Sequence, residues 1–190
     1  MKLLVVADKV DNWPDDIDRR AARSDVVISL GDLCGMDIQR IANKGAPVVG
    51  VYGNHCRPGY LAENGAIELV PDNDICASSN VEIQARSVSV LGINGCVRYS
   101  NAAYFQWTQQ EYQERVALMP RCEWVVTHCP PRGIHDQDDP AHFGISALTE
   151  YIRIHQPSHV FHGHTYPDTS LTRVGDTLVH YVYGWAELTI

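Results

Sequence analysis

Apolar runs and short polar clusters alternate along nearly the whole chain. Five apolar runs, each followed at once by a polar or glycine-containing cluster, occupy residues 3–6, 26–30, 48–52, 124–126 and 159–161. Runs of this length predict buried β-strands that end in loops. The carboxyl ends of parallel strands are where α/β proteins gather their functional residues. The pattern therefore predicts one site that is assembled from distant parts of the sequence.

The spacing of the other apolar positions predicts the remaining elements. Helices near 15–23 and 37–44 separate strands at 2–7, 26–30 and 47–52, and this order predicts a parallel sheet with right-handed crossovers. Between 67 and 93, alternation with Asn, Asp and Gly turns predicts antiparallel pairs. Thr108, with Glu111 three residues later, predicts a capping box that opens a helix over 108–119. We also expect a helix at 146–155, a strand at 159–162 and short strands over 169–190.

The composition predicts a single globular domain that spans residues 1–190. Hydrophobic residues make up 45% of the chain, which suffices for a core without disulfides or structural zinc. The six cysteines form no C-x-x-C pair and therefore predict reduced thiols in a cytoplasmic protein. Because a strand already begins at Lys2 and no apolar run approaches the ~20 residues of a membrane span, we expect neither a signal peptide nor a membrane partner.

The net charge of -8 argues against nucleic acid as a partner. A local basic rim, for example from Arg57, Arg98 and Arg132, stays open as an alternative. The acidic balance is compatible with a small phosphorylated substrate, such as a nucleotide, if metal ions neutralise the site.

The polar clusters contain five candidate metal ligands, which are Asp8, Asp32, Asn54, His128 and His164. Their oxygen and nitrogen donors suit a divalent transition metal, and we expect manganese, iron or zinc. Each residue taken alone has a simpler explanation, because Asp is a preferred helix N-cap and a single histidine at a strand end is more often structural. The presence of all five after strands favours the metal site.

The order and spacing of these clusters resemble the motifs of the calcineurin-like metallophosphoesterases, which are D-x-H, G-D, G-N-H-D/E, T-H-x-P-P and G-H-x-H. The second, third and fourth motifs keep every residue that binds metal in the family. In the first and last motifs, Val10 and Tyr166 stand where the family usually has histidine. The chain therefore resembles a divergent bacterial branch of that family. The matching residues are Asp8, Gly31-Asp32, Gly53-Asn54-His55, Thr127-His128, Pro130-Pro131 and Gly163-His164.

The resemblance implies an α/β fold, a four-layer α/β/β/α sandwich of two mixed β-sheets flanked by helices. It also implies a site for two metals, bridged by Asp32, in which Asp8 binds the first metal. Asn54, His128 and His164 would bind the second. His55 would hydrogen-bond the phosphoryl group and protonate the leaving oxygen.

The first metal site lacks two family histidines, and three explanations stay open. Asp11 replaces a missing ligand, as in the same bacterial branch. Alternatively, Lys9 places an ammonium group near the site, or the protein works with a single metal. Tyr166 is a poor ligand unless the cation deprotonates it. We therefore expect one or two metals per chain.

The expected activity is hydrolysis of a phosphodiester or phosphomonoester by metal-activated water. The alternative is a catalytically weak or inactive member that binds a phosphorylated ligand or partner. Cys56 favours this alternative, because the family usually has there an acidic residue that orients the catalytic histidine. The polar stretch 130–144 is either a solvated loop or a lid, and the resemblance implies substrate-binding roles for Arg132, His135 and His142.

Overall fold

The computed structural model of the protein describes residues 1–11, 13–101 and 104–190. No helix within these ranges is long and apolar enough to cross a membrane. In chain order the elements are β1 (Lys2–Ala7), α1 (Ile17–Arg23), β2 (Val26–Ser29), α2 (Gly35–Ala42), β3 (Val48–Gly50), α3 (Tyr60–Glu63), β4 (Ile67–Glu68), β5 (Cys76–Ile83), β6 (Arg86–Ile93), β7 (Cys96–Val97), β8 (Gln106–Trp107), α4 (Gln109–Val116), β9 (Trp124–Thr127), a 3-10 turn (Pro140–His142), α5 (Ser146–His155), β10 (His159–His162), β11 (Leu171–Val174), β12 (Thr177–Tyr181) and β13 (Gly184–Thr189).

The strands form two large mixed sheets and a small parallel pair, β7–β8. Sheet A has the order β13-β1-β2-β3-β4, and sheet B has the order β11-β12-β10-β9-β6-β5. Sheet A is parallel except at β13, whereas sheet B carries an antiparallel strand at each edge. The expected antiparallel pairing is present in β5–β6 but not in β4. There the chain crosses back through α3 and pairs in parallel with β3.

The alternation of apolar side chains along the strands separates the molecule into four layers. Leu3 and Val5 of β1 face the core between the two sheets, where they join Trp124 and Phe161 of sheet B. Leu4 and Val6 point the other way and pack with α1, α2 and α3. A third core lies between sheet B and helices α4 and α5. The expected α/β/β/α sandwich is therefore confirmed.

Local signals set the bounds of the helices that cover sheet B. The capping box is present, because the Thr108 side chain accepts from the Glu111 N–H and the Glu111 carboxylate accepts from the Thr108 N–H. Helix α5 buries Leu148, Tyr151 and Ile152 on one face, the spacing expected of an amphipathic helix.

Loops that follow strands of both sheets meet at one end of the sandwich. The Asp8 N–H donates to the Gly31 carbonyl at 3.0 Å, which joins the loops after β1 and β2. In sheet B, the Gly163 N–H donates to the His128 carbonyl at 3.0 Å and joins the loops after β10 and β9. These hydrogen bonds hold the polar clusters together through the protein backbone alone.

Candidate metal centre

The residues that follow the strands surround a cleft of about 620 Å³. Four of the five clusters line it, through Asp8, Asp32, Asn54 and His164. The fifth contributes His128, whose side chain is fully buried and hydrogen-bonds to Asn54. The structure thus brings together the five candidate ligands that the sequence and the resemblance singled out.

Three of these residues have a left-handed backbone, with φ of 57° at Asp8, 57° at Asp32 and 69° at His164. Non-glycine residues rarely adopt positive φ, and such conformations cost free energy that the surrounding structure must offset. Asp tolerates this region better than most residues. The same unusual turn at three strand ends indicates a constraint that belongs to the site.

The imidazole of His128 lies at the centre of the site. Its Nδ1 donates to the Leu30 carbonyl at 2.8 Å. Its Nε2 lies 3.0 Å from Asn54 Oδ1 and 3.2 Å from Asp32 Oδ2. Both ring nitrogens face oxygen acceptors, and only the doubly protonated imidazolium donates at both when no metal is bound.

The charges of Asp32 and His128 stabilise each other. Burial raises the pKa of Asp32, but the His128 charge and the hydrogen bonds from His128 and the His55 N–H outweigh it and lower the pKa to about 2. Burial lowers the pKa of His128, but the Asp32 carboxylate outweighs it and raises the pKa to about 9. A proton on His128 therefore occupies the position at which a metal would bind.

The backbone of the third cluster closely surrounds the Asp32 carboxylate. The His55 N–H donates to Asp32 Oδ1 at 2.9 Å. A Cβ atom at Gly53 would lie only 2.1 Å from the same oxygen, so only glycine fits there. Asn54 is anchored by its amide group, which donates to the Tyr99 hydroxyl at 3.2 Å.

His164 is held as a neutral imidazole. Its backbone N–H donates to Asp8 Oδ2 at 3.1 Å, and its ring Nε2 donates to the Ala141 carbonyl at 2.8 Å. Burial and the positive charge of His128 lower the pKa of His164 to about 3. With Nε2 occupied, Nδ1 is the ring nitrogen that can bind a metal.

The donor atoms gathered beside the cleft fit a divalent metal. Asp8, Asp32 and His128 each offer a ligand atom, and these atoms lie within 4.8 Å of one another. The Asn54 amide oxygen faces the same His128 nitrogen as Asp32 does. Two carboxylates, an amide oxygen and an imidazole form an oxygen- and nitrogen-rich set of the type that transition metals use.

Among the described residues, the first site gains no replacement for the missing histidines. Asp11 is exposed and pairs with Lys9 at 2.5 Å, and it does not line the cleft. Val10 lines the cleft with an apolar side chain that packs toward the core beneath the helices of sheet A. Tyr166 also lines the cleft, but its side chain is exposed and packs against His142 and Tyr183. Within the described ranges, these side chains do not complete a ligand set for a second ion.

His55 lies exposed at the cleft, and no hydrogen bond to its ring is found within the described ranges. Cys56, the next residue, contacts Asp32 instead. Its sulfur accepts from the Asp32 and Gly53 N–H groups, each at 3.3 Å. Burial and the Asp32 charge raise the pKa of the Cys56 thiol to about 12, so it remains neutral.

The 130–144 stretch folds over the site through internal polar contacts. The Asp136 carboxylate accepts from Arg132 at 2.5 Å and from the Gly133 and Gly144 N–H groups. His135 turns inward, where its ring bonds to His162 and Thr172. Neither Arg132 nor His135 lines the cleft.

His142 differs from its neighbours in this stretch because it lines the cleft. Its Nδ1 bonds to the Asp139 carboxylate at 2.8 Å, which leaves Nε2 free to contact a ligand. Sequence reasoning named His142 but missed both Asp139 and the cleft-lining Tyr183. Tyr183 follows β12, so the rule that strand ends carry site residues could have found it.

Comparisons with known proteins identify a family and a fold. The calcineurin-like phosphoesterase family model matches residues 1–168. No curated protein matches the chain. Among solved structures, a protein of Thermus thermophilus is 11% identical with a TM-score of 0.64, and the match covers 96% of this chain and 89% of that one.

Two further solved structures share the fold. The 5'-nucleotidase of Candida albicans SC5314 is 13% identical with a TM-score of 0.55 over 96% of this chain and 45% of that chain. GAP50 of Plasmodium, described as the anchor in the inner membrane complex, is 13% identical with a TM-score of 0.51. The match covers 95% of this chain and 70% of that chain. At these identities the likeness concerns the fold alone. The family match over residues 1–168, together with the fold, shows that the chain belongs to the calcineurin-like phosphoesterases.

Proposed function

We propose that this protein is a metal-dependent hydrolase of phosphoester bonds that holds one divalent ion per chain. The observation that carries the proposal is the convergence of Asp32 Oδ2 and Asn54 Oδ1 on His128 Nε2, at 3.2 and 3.0 Å. These groups, with His164 Nδ1, would hold manganese, iron or zinc. Family membership supports the reaction class.

The bound ion would lower the pKa of a water molecule toward neutrality and offset the charge that builds on the phosphoryl oxygens. Asp8 sits beside these ligands and also fixes the His164 backbone through the hydrogen bond to its N–H. The left-handed turns hold the ligand residues at the strand ends in the folded chain. The chain therefore supplies a preformed set of donors.

His55 is proposed as the group that hydrogen-bonds the phosphoryl oxygen and protonates the leaving group. It lines the cleft, and its backbone is fixed by the hydrogen bond to Asp32. The next residue, which is usually acidic in the family and orients this ring, is Cys56 here, and its thiol contacts Asp32 instead. Proton donation by His55 is therefore expected to be weaker than in members that keep this partner.

The test measures metal content and hydrolysis on the same protein. Purified protein should contain about one metal per chain and should hydrolyse bis(p-nitrophenyl) phosphate with added manganese. His128→Ala should lose both properties, whereas His155→Ala on α5 should keep both. A metal-free protein that shows no hydrolysis with added manganese would overturn the proposal.

A second variant tests the number of ions. Replacing Val10 and Tyr166 together by histidine restores the two ligand types that the family uses at the first site. The variant should bind about two metals per chain, measured by elemental analysis, whereas the wild type binds about one. Two ions in the wild type would contradict the single-metal arrangement.

A second candidate function is binding of a phosphorylated ligand without turnover. It is favoured by the position of Asp11, which pairs with Lys9 outside the cleft and leaves the first site short of ligands. This candidate expects bound metal and phosphate binding, but no hydrolysis in wild type or in the variant with both histidines restored.

A further inference from the structure

Exposed aromatic side chains gather at the mouth of the cleft. Tyr166 is 59% exposed, Tyr183 is 41% exposed and Tyr99 is 37% exposed, and all three line the cleft. Single exposed aromatic residues are common on protein surfaces. Three around one concave site indicate a binding surface.

Two of these rings form a continuous strip with a histidine on one wall. The centroids of Tyr166 and Tyr183 are 5.5 Å apart, and those of His142 and Tyr166 are 5.9 Å apart. His142 also lies 5.5 Å from His164, so the strip begins beside the metal ligands. Tyr99 lies near Asn54, which its hydroxyl contacts. A ligand that reaches from the metal to the mouth of the cleft would pass along these rings.

Free positive charge is scarce around the same cleft. Among the described residues, Lys9 is the only lysine or arginine in its lining, and it pairs with Asp11 at 2.5 Å. The cleft also contains Asp37, whose carboxylate accepts from the Trp13 ring N–H. The surroundings of the metal ligands therefore offer little to bind additional phosphate groups.

The arginines that could have formed a basic rim are neutralised by acidic side chains. Arg57 pairs with Glu63. Arg98 pairs with Glu111 at 3.3 Å. Arg132 pairs with two aspartates of its own loop. Nucleic-acid strands and polyphosphates need several free cations along their path. These ligand classes do not match the cleft.

We propose that the substrate is a phosphoester with a single phosphate, one of whose ester groups carries a planar aromatic ring that packs on Tyr166 and Tyr183. Aryl and nucleoside esters belong to this class. The proposal rests on the proposed function, because it assumes that the phosphate binds at the metal centre. It adds the chemistry of the group that lies beyond the phosphate.

The test uses two phosphonates that cannot be hydrolysed. Benzylphosphonate and cyclohexylmethylphosphonate have the same charge and similar apolar size, but only the first has a planar aromatic ring. Calorimetric titration of the manganese-loaded protein should show that benzylphosphonate binds about fivefold more tightly, as one aromatic contact predicts. Tyr166→Leu together with Tyr183→Leu should remove this preference.

Two control variants separate the ring from its hydroxyl and from general effects. Tyr166→Phe with Tyr183→Phe keeps both rings and should keep the preference. Tyr104→Leu removes an exposed tyrosine that does not line the cleft and should change nothing. Equal binding of both phosphonates by the wild type, or a preference that survives both leucine substitutions, would overturn the inference.

The outcomes also distinguish this inference from the proposed function. Binding of both phosphonates with equal affinity overturns only the aromatic preference. A tyrosine-dependent preference in a protein that hydrolyses no ester overturns only the hydrolase. If neither phosphonate binds the metal-loaded protein, the inference is overturned, whereas the proposed function is overturned only if hydrolysis is absent as well.

Discussion

Metal binding to this protein should displace one proton from His128. In the His128 ring, Nδ1 faces the Leu30 carbonyl and Nε2 faces the oxygens of Asn54 and Asp32. Only an imidazolium can donate at both nitrogens, and only a neutral nitrogen can bind a metal. The proton and the metal therefore compete for Nε2.

The size of the pH effect on metal affinity follows from the pKa of His128. The Asp32 carboxylate raises this pKa to about 9 against the effect of burial. Below that pH, the apparent affinity for the metal should rise about tenfold for each pH unit, and it should level off above about pH 9. His164 adds nothing to this dependence, because burial and the His128 charge lower its pKa to about 3. We expect about one proton released per metal ion.

Calorimetry in several buffers measures this number directly. Zinc is titrated into EDTA-treated protein at about pH 7.5 in buffers with different ionisation enthalpies, and the slope of the observed enthalpy gives the protons released. Asp32→Asn removes the carboxylate that raises the pKa of His128 but keeps an amide oxygen as a ligand, so at saturating zinc its proton release per bound ion should fall well below one at this pH. An affinity that is flat between about pH 7 and 8.5 in the wild type would refute the reasoning.

Three further predictions concern stability and the glycine beside the site. In metal-free protein, the interaction that raises the pKa of His128 stabilises the fold. This stabilisation is complete below about pH 6.5, the pKa of histidine in the unfolded chain, and it is lost as pH rises through about 9. The melting temperature of EDTA-treated protein should therefore fall over that range, but that of metal-loaded protein should not. Gly53→Ala should weaken metal binding about 10- to 100-fold, measured by titration, because its Cβ would lie 2.1 Å from Asp32 Oδ1. Tyr112→Phe removes a buried 2.8 Å hydrogen bond to the Asn94 carbonyl and should cost about 1–2 kcal/mol in urea unfolding, and an unchanged midpoint would contradict this.

The individual strands and helices could be predicted because their signals are local, whereas the four-layer arrangement was expected from the family resemblance. The apolar run of β1 and the capping box at Thr108 depend only on neighbours in sequence. The two-residue strand β4 was harder, since its parallel pairing with β3 depends on how the chain returns through α3. Pattern alone cannot show which way a two-residue strand runs.

The positions of the candidate metal ligands could be predicted for a similar reason, but those of the surrounding side chains could not. Asp8 and Asp32 directly follow strands, so the sheet determines where they lie. The direction of His135 depends on His162 and Thr172, which are 27 and 37 residues away. Likewise, Asp11 turns toward Lys9, and nothing in the motif indicates this.

The order of strands in sheet A has a consequence for how the chain folds during synthesis. Sheet B is built from one continuous stretch, from β5 to β12, whereas sheet A receives its last strand, β13, beside β1. Lys2 pairs with Thr189, so one side of β1 stays open until β13 has been made. An unpaired edge of this kind favours aggregation. The interval before β13 arrives is thus when the nascent chain most needs protection by a chaperone.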